Sequence, residues 1–378
     1  MSKDRIIINF TGDISLTGIF YDKVSINSEI FDNKIRIILS NSDYNLCNLE
    51  GPTISNKNIS KADINIISPA NSIKYLRERG FNIYNLANNH IFDFGIEGFL
   101  NTRDAILKER CQYFGAGENI KEASKILYIK KNNIVVSVIG LCHKEGLIAG
   151  ENTPGIFCDE YFDVVKEKVK EAKKESNFVI LNYHGGEEYT IIPRPKRRKF
   201  LKRLIDVGGD IIIAHHSHVF QGIESFNNKI IFYSLGNFVF DIPYHRKFAF
   251  TNMGAIVNFS FTMNNYTYKL FPIYINRESG MIEFSDSDFT KHIYNISSFS
   301  KKFYTNWIRD ANRVFFNKNL TNNQVNVIEK PKKNKLIRYF FSKEKYIYLY
   351  HIMKDKVRRP IFISAIIYKL LNRLGLMN

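Results

Sequence analysis

IIIAHHSHVFQ, residues 211–221, is an apolar run that stops abruptly at His215, His216, Ser217 and His218. Such a run, too short for a buried helix, predicts a buried strand ending at Ala214. Its imidazoles then project from a loop at the strand's carboxyl end, where open α/β sheets place their ligands. Three histidines in four positions there form a chemical arrangement, and the rest of the chain is read as supplying them with partners.

Working outward, the same design recurs. RIIINF (5–10) is a β-branched run that ends at Gly12 and Asp13, and DYNLCNLE (43–50) closes on Glu50 before the Gly51–Pro52 breaker. Pro69 and Gly80 bracket a helix, after which FNIYNLA runs into Asn88, Asn89 and His90. Helices are expected over 96–110, 161–176 and 196–207, and strands over 133–141 and 177–183, the latter closed by His184. IIFYSL and the alternating 254–275 add further strands. Strands alternating with helices over some 240 residues predict an α/β architecture, with the later strands in a second, mixed sheet.

Composition places the chain among globular proteins, and its charge is lopsided. Of the net +17, most lies beyond residue 300, where 18 Lys/Arg face 4 acidic residues. A nearly balanced body, 1–285, is therefore expected to carry a basic, aromatic-rich and largely helical extension, 286–378, with EKPKKNK (329–335) as an exposed linker. Basic residues followed by the apolar IFISAIIYKLL suggest docking on a membrane surface, or else a helix packed on the body with its basic face in water. Nucleic acid, for which Lys332, Lys333 and Arg338 would be the contacts, is the weakest partner because no dedicated motif supports it. Four scattered cysteines without a C-x-x-C pair read as reduced core thiols. The opening residues lack signal-peptide features, so a cytoplasmic protein, peripheral to a membrane through its tail, is the expectation.

The strand-end set is Asp13, Glu50, Asn88, Asn89, His90, His184, His215, His216 and His218. Two carboxylates, amides and imidazoles suit borderline divalent metals, namely Mn, Zn or Fe. Two such ions clamp a water and a phosphoryl oxygen and lower the pKa of the water. Singly, each residue has an ordinary reading: Asp13 as a turn or cap, Asn88 and Asn89 as a turn, His90 as an interior histidine. Jointly, the ordinary readings lose their weight.

FTGDISLTG, NLEGP, NLANNHIFDFG, NYHGGEEY, AHHSHVFQGIE and IFYSLGNFVFD, in that order, resemble the successive blocks of the CapA family of poly-γ-glutamate capsule-synthesis proteins. That family belongs to the calcineurin-like metallophosphatase superfamily, and the resemblance covers about residues 6–275. It implies a four-layer α/β/β/α sandwich with two mixed sheets and a centre of one or two divalent ions. It also implies roles: Asp13, Glu50, Asn89, His184, His216 and His218 as metal ligands, Glu50 bridging, and His90 as acid or oxyanion partner. One departure stands out. The superfamily follows its first aspartate with a histidine two residues on, and this chain has Ser15, so His215 is a candidate substitute.

Around these, Glu187, Glu188 and Tyr189 would orient His184, or simply be exposed. Asp93 would fix His90 or cap the next helix. Arg194, Arg197 and Arg198 in RPKRRK would capture an anionic substrate, or form a solvated helix start. The expected function is a metal-dependent hydrolase of phosphoesterase type, acting on a phosphate ester, an anionic cell-surface polymer or its precursor. The rival is a non-catalytic component of a capsule assembly complex with a structural metal.

Overall fold

The computed structural model describes residues 4–54, 66–285, 287–297, 299 and 303–321. The chain first lays down β1 (Ile6–Ile14), β2 (Tyr44–Leu49), β3 (Ile83–Asn85) and β4 (Gln112–Phe114). It then builds a second sheet from β5 (Leu127–Lys131), β6 (Ile134–Cys142), β7 (Phe178–His184), β8 (Ile211–His215), β9 (Phe220–Phe226) and β10 (Lys229–Leu235). Finally β11 (Asn237–Val239), β12 (Met253–Phe261), β13 (Tyr266–Asn276) and β14 (Met281–Phe284) return to the first sheet. The first sheet runs β14-β13-β12-β1-β2-β3-β4 with β11 also paired to β1, and the second runs β9-β10-β8-β7-β6-β5. Both are mixed, with parallel strands at their centres.

Three apolar layers bind the sheets and helices into the expected four-layer sandwich. Between the sheets, Ile8, Phe10, Val257 and Phe259 meet Val138, Ile180, Ile213 and Phe232. Helices Ile19–Ser25, Asn33–Ser40, Ser72–Glu78 and Gly95–Lys108 cover the outer face of the first sheet through Phe20, Ile35, Leu76 and Phe99. Phe162–Glu175 and Pro195–Asp206 cover the second through Val165, Val169, Leu201 and Leu204. Central strands such as β7 and β8 are buried along their whole length, which is why they read as unbroken apolar runs.

The first strand is longer than its apolar run. It continues through Gly12 and Asp13 to Ile14 because β11 extends its ladder, pairing Asp13 with Asn237. The approach is close enough that a Cβ on Gly12 would lie 2.1 Å from the Gly236 carbonyl oxygen. The compact unit also extends to Phe299, beyond residue 285, since helix Ser287–Ile296 buries Phe289 and Ile293 in the inter-sheet layer. In the other unit, Ser300–Asn378, the described residues form a helix, Phe303–Thr321. The expected linker, the segment suggested to dock on a membrane, and Lys332, Lys333 and Arg338 lie outside the described residues. Among those described, no helix is long and apolar enough to cross a membrane.

Candidate metal centre

Register brings the strand ends together. In the second sheet, His184 of β7 lies opposite His215 of β8 and Cys142 of β6. In the first, Asp13 lies opposite Asn48 of β2, one residue pair before Leu49 hands over to Glu50. Past β8 the backbone adopts positive φ at His216 (87°) and His218 (56°). That costs about 1–3 kcal/mol per residue and is tolerated where surrounding contacts fix it. Here the turn aims the His216 N–H at Asp13 Oδ2, 3.2 Å away, and delivers both imidazoles to the gap between the sheets.

Two groups of donor atoms result, and they share one residue. Asp13, Glu50 and His218 form the first; Glu50, His184 and His216 form the second, with the donor atoms of each group within 4.8 Å of one another. Asn89 Oδ1 joins the second, 2.8 Å from His184 Nε2, which is itself 3.1 Å from His216 Nδ1 and 4.0 Å from Glu50 Oε1. His218 Nδ1 donates to Asn237 Oδ1 at 3.0 Å, leaving Nε2 toward Glu50 Oε1 at 3.7 Å. Asn237 is held in turn by donating to the Thr251 carbonyl. This outer shell fixes the tautomer, as metal-ligating histidines require.

Electrostatics test whether a cation fits. Glu50 is fully buried, and neither of its oxygens has a hydrogen-bond partner among the described residues. Burial, with the charges of Asp13, Glu188 and Asp93, raises its carboxyl well above the usual range. Burial also holds three imidazoles neutral: His184 falls well below its ordinary value, His216 falls to about 3, and His218 is lowered. Burial acts to raise Asp13 too, but His215, His218 and the His216 N–H outweigh it and keep this carboxylate ionised. Neutral imidazoles, one ionised carboxylate and one shared carboxylate without partners match a divalent cation's needs.

A family model described as "Bacterial capsule synthesis protein PGA_cap" matches residues 7–242. The chain belongs to that family. This PGA_cap member is 33% identical over 270 residues to "PGA biosynthesis protein CapA" of Bacillus subtilis (strain 168), covering 70% of each chain. It is 40% identical over 212 residues to "Capsule biosynthesis protein CapA" of Bacillus anthracis, covering 54% of this chain and 52% of that one. A solved structure of the Haemophilus influenzae NAD nucleotidase gives a TM-score of 0.41 at 13% identity, covering 79% of this chain and 56% of that chain.

Several sequence expectations change in this PGA_cap member. His215 joins neither three-residue group, and its Nδ1 lies 3.1 Å from Asp13 Oδ1, beside the first group. Asn88 is a turn builder, donating to the Leu49 carbonyl and accepting from the His90 N–H. Asp93 serves His90, with Oδ2 2.8 Å from His90 Nδ1, while the following helix has no side-chain cap. His90 Nε2 is thereby turned toward Glu50 Oε1, at 3.8 Å. Glu187 is diverted to Arg194 at 3.0 Å and does not orient His184; Glu188 is the one whose charge acts on Glu50, His216 and His218. Tyr189 stacks beside His218, itself backed by Phe248 with ring centroids 3.9 Å apart.

Besides Asn237, further residues went unread in the sequence. Asn48 Nδ2 donates to Asp13 Oδ1 at 2.9 Å and lies 3.1 Å from His184 Nδ1, tying the two sheets' ligands together. Its other side continues as a buried amide chain through Asn85 to Asn182. Glu145 brings Oε2 to 3.5 Å from His216 Nε2. The available signal for the amides was position: Asn48 and Asn182 each stand two residues before a strand-end donor, on the same face.

Proposed function

We propose that this chain is a metal-dependent hydrolase of phosphoesterase type, acting on a phosphate ester, an anionic cell-surface polymer or its precursor. The observation that carries it is Glu50, a buried carboxylate without hydrogen-bond partners shared by two donor groups. One or two divalent ions, Mn, Zn or Fe, would be held by Asp13, Glu50 and His218 and by Glu50, Asn89, His184 and His216. Bound there, such ions supply Lewis acidity and a water of lowered pKa. The chain's own contribution is His90. Asp93 holds the His90 Nδ1 proton, so Nε2 faces the centre, where it can take up a proton and, as an imidazolium braced by Asp93, give that proton to a leaving group or steady developing charge. The printed names of the Bacillus relatives place them in capsule and PGA biosynthesis, which favours a polymer-related substrate here.

A second reading, a non-catalytic component of a capsule assembly complex, is favoured by Ser15, which leaves the first group with three protein ligands. The His90–Asp93 pair, which a structural metal does not need, argues against it. Metal analysis of protein purified without chelator, followed by assays of a phosphomonoester and a phosphodiester with added Mn²⁺, separates the two. Hydrolysis is expected, and Asp93→Asn is expected to keep its metal while losing about 10- to 100-fold in turnover. Absence of both transition metal and Mn²⁺-dependent hydrolysis would sink the reading; metal with no hydrolysis would favour the non-catalytic one.

A further inference from the structure

The three arginines at the start of helix Pro195–Asp206 have different fates. Arg194 is paired with Glu187 at 3.0 Å. Arg198 is engaged by Glu224, to which its Nε donates at 2.7 Å, and Lys202 joins the same carboxylate at 2.8 Å. Arg197 is different: only 9% exposed, it has no carboxylate within ion-pair distance and its Nε has no hydrogen-bond partner among the described residues. Among the described residues its specific contact is the Tyr183 ring, whose centroid lies 4.0 Å from the guanidinium carbon. Asp159 and Glu145 feel its charge, but neither closes an ion pair with it, and a buried guanidinium without a paired carboxylate is unfavourable. The helix start adds to this, because its first turn carries no acidic residue and the positive end of the helix dipole repels the cations there.

The backbone beside this guanidinium carries no side chains that would cover it. His184 is followed by Gly185 (φ 151°) and Gly186 (φ 131°), conformations that favour glycine. A Cβ on Gly186 would fall 3.3 Å from Arg197 Cζ, and one on Gly185 would fall 3.1 Å from Nη1. Gly185 and Gly186 directly follow His184, so the guanidinium packed on them borders the metal centre, and its charge acts on His216 and Glu145. Glu145, its side chain 44% exposed, sits 3.5 Å from His216 without closing an ion pair to Arg197.

We propose that Arg197 recognises an anionic group, carboxylate or phosphate, that the substrate carries beside the bond to be cleaved. Its planar fork suits either oxyanion in a two-point contact. Calling the ligand a substrate rests on the hydrolase reading above; anion capture itself does not. The test titrates the full chain, both stripped with EDTA and loaded with Mn²⁺, with inorganic phosphate and separately with glutarate. At least one probe is expected to bind the stripped protein and raise its melting midpoint. Arg197→Gln is expected to weaken that binding about tenfold or more, Arg197→Lys to fall between, and Lys199→Gln, which removes an exposed charge from the same helix, to change nothing. Dependence on Arg197 for phosphate alone assigns a phosphoryl group, and for glutarate alone a carboxylate. If neither probe binds the wild type, or if both arginine variants bind like it, the inference is wrong. Should Arg197→Gln not fold, Arg197→Lys decides. Hydrolysis without Arg197-dependent binding overturns this inference alone, and binding without hydrolysis overturns only the hydrolase reading.

Discussion

Glu50→Gln should do opposite things to the protein with and without metal. The folded carboxyl keeps its proton to higher pH than the unfolded one, chiefly through burial and then through Asp13, Glu188 and Asp93. Above the ordinary value of 4.5 the unfolded chain has released that proton, so stability falls as pH rises until the folded carboxyl ionises as well. The slope is about 1.4 kcal/mol per pH unit for one proton. Glutamine keeps the shape and has no proton to release, so the stability difference between variant and wild type should grow by that slope through the window. In EDTA at pH 7, Glu50→Gln should be the more stable protein by about 1–3 kcal/mol, because the wild type must take up a proton to fold, an advantage of the variant partly offset by burying an amide without partners. With Mn²⁺ at a hundred times its Kd the wild type gains about 2.7 kcal/mol, and the variant, missing the ligand common to both groups, should gain much less. Urea unfolding between pH 5 and 8, with EDTA or Mn²⁺, measures both arms. A stripped variant no more stable than wild type at pH 7, or one that Mn²⁺ stabilises equally, would refute the reasoning.

Acidification tests the imidazoles from the other side. His216 is held near 3 in the fold, so the stability tied to its neutral form is complete above 6.5 and is lost as pH falls toward 3; His216→Gln should make the acid limb of the stripped protein shallower by about 1.4 kcal/mol per pH unit. An unchanged acid limb counts against the burial argument. Gly12→Ala should cost about 3 kcal/mol in urea unfolding, since its Cβ meets the Gly236 carbonyl oxygen and backbone must move. A loss below about 1 kcal/mol would mean the β1–β11 approach is looser than described.

The strand–helix alternation and the strand-end positions were legible for one physical reason, while the four-layer order and the ligand roles came with the family resemblance. A strand buried on both faces is written as an apolar run, so the polar residues that follow it mark where the sheet meets its site. Asp13, Glu50, Asn89, His184, His216 and His218 all carry that mark. What stayed hidden depends on contacts remote in sequence. Asn48 and Asn237 carry no signal of their own until register sets them beside His184 and His218. RPKRRK looks like one patch, yet Glu224, 26 residues from Arg198, removes that arginine from the site while Arg197 keeps none. Likewise only spacing across the sandwich reveals that His215 reaches Asp13 and not Glu50.

The donor set is divided between the two sheets: Asp13, Glu50 and Asn89 come from one, His184, His216 and His218 from the other. Each group therefore works as a caliper across the sandwich, reading how far apart and in what alignment the layers rest. The jaw setting is held by packing in the layer between the sheets, where Phe259 of the first sheet meets Phe232 of the second edge-on at 6.0 Å. Trimming one of those rings would shift the layers by fractions of an ångström and would register as weakened metal affinity, although no ligand had been touched.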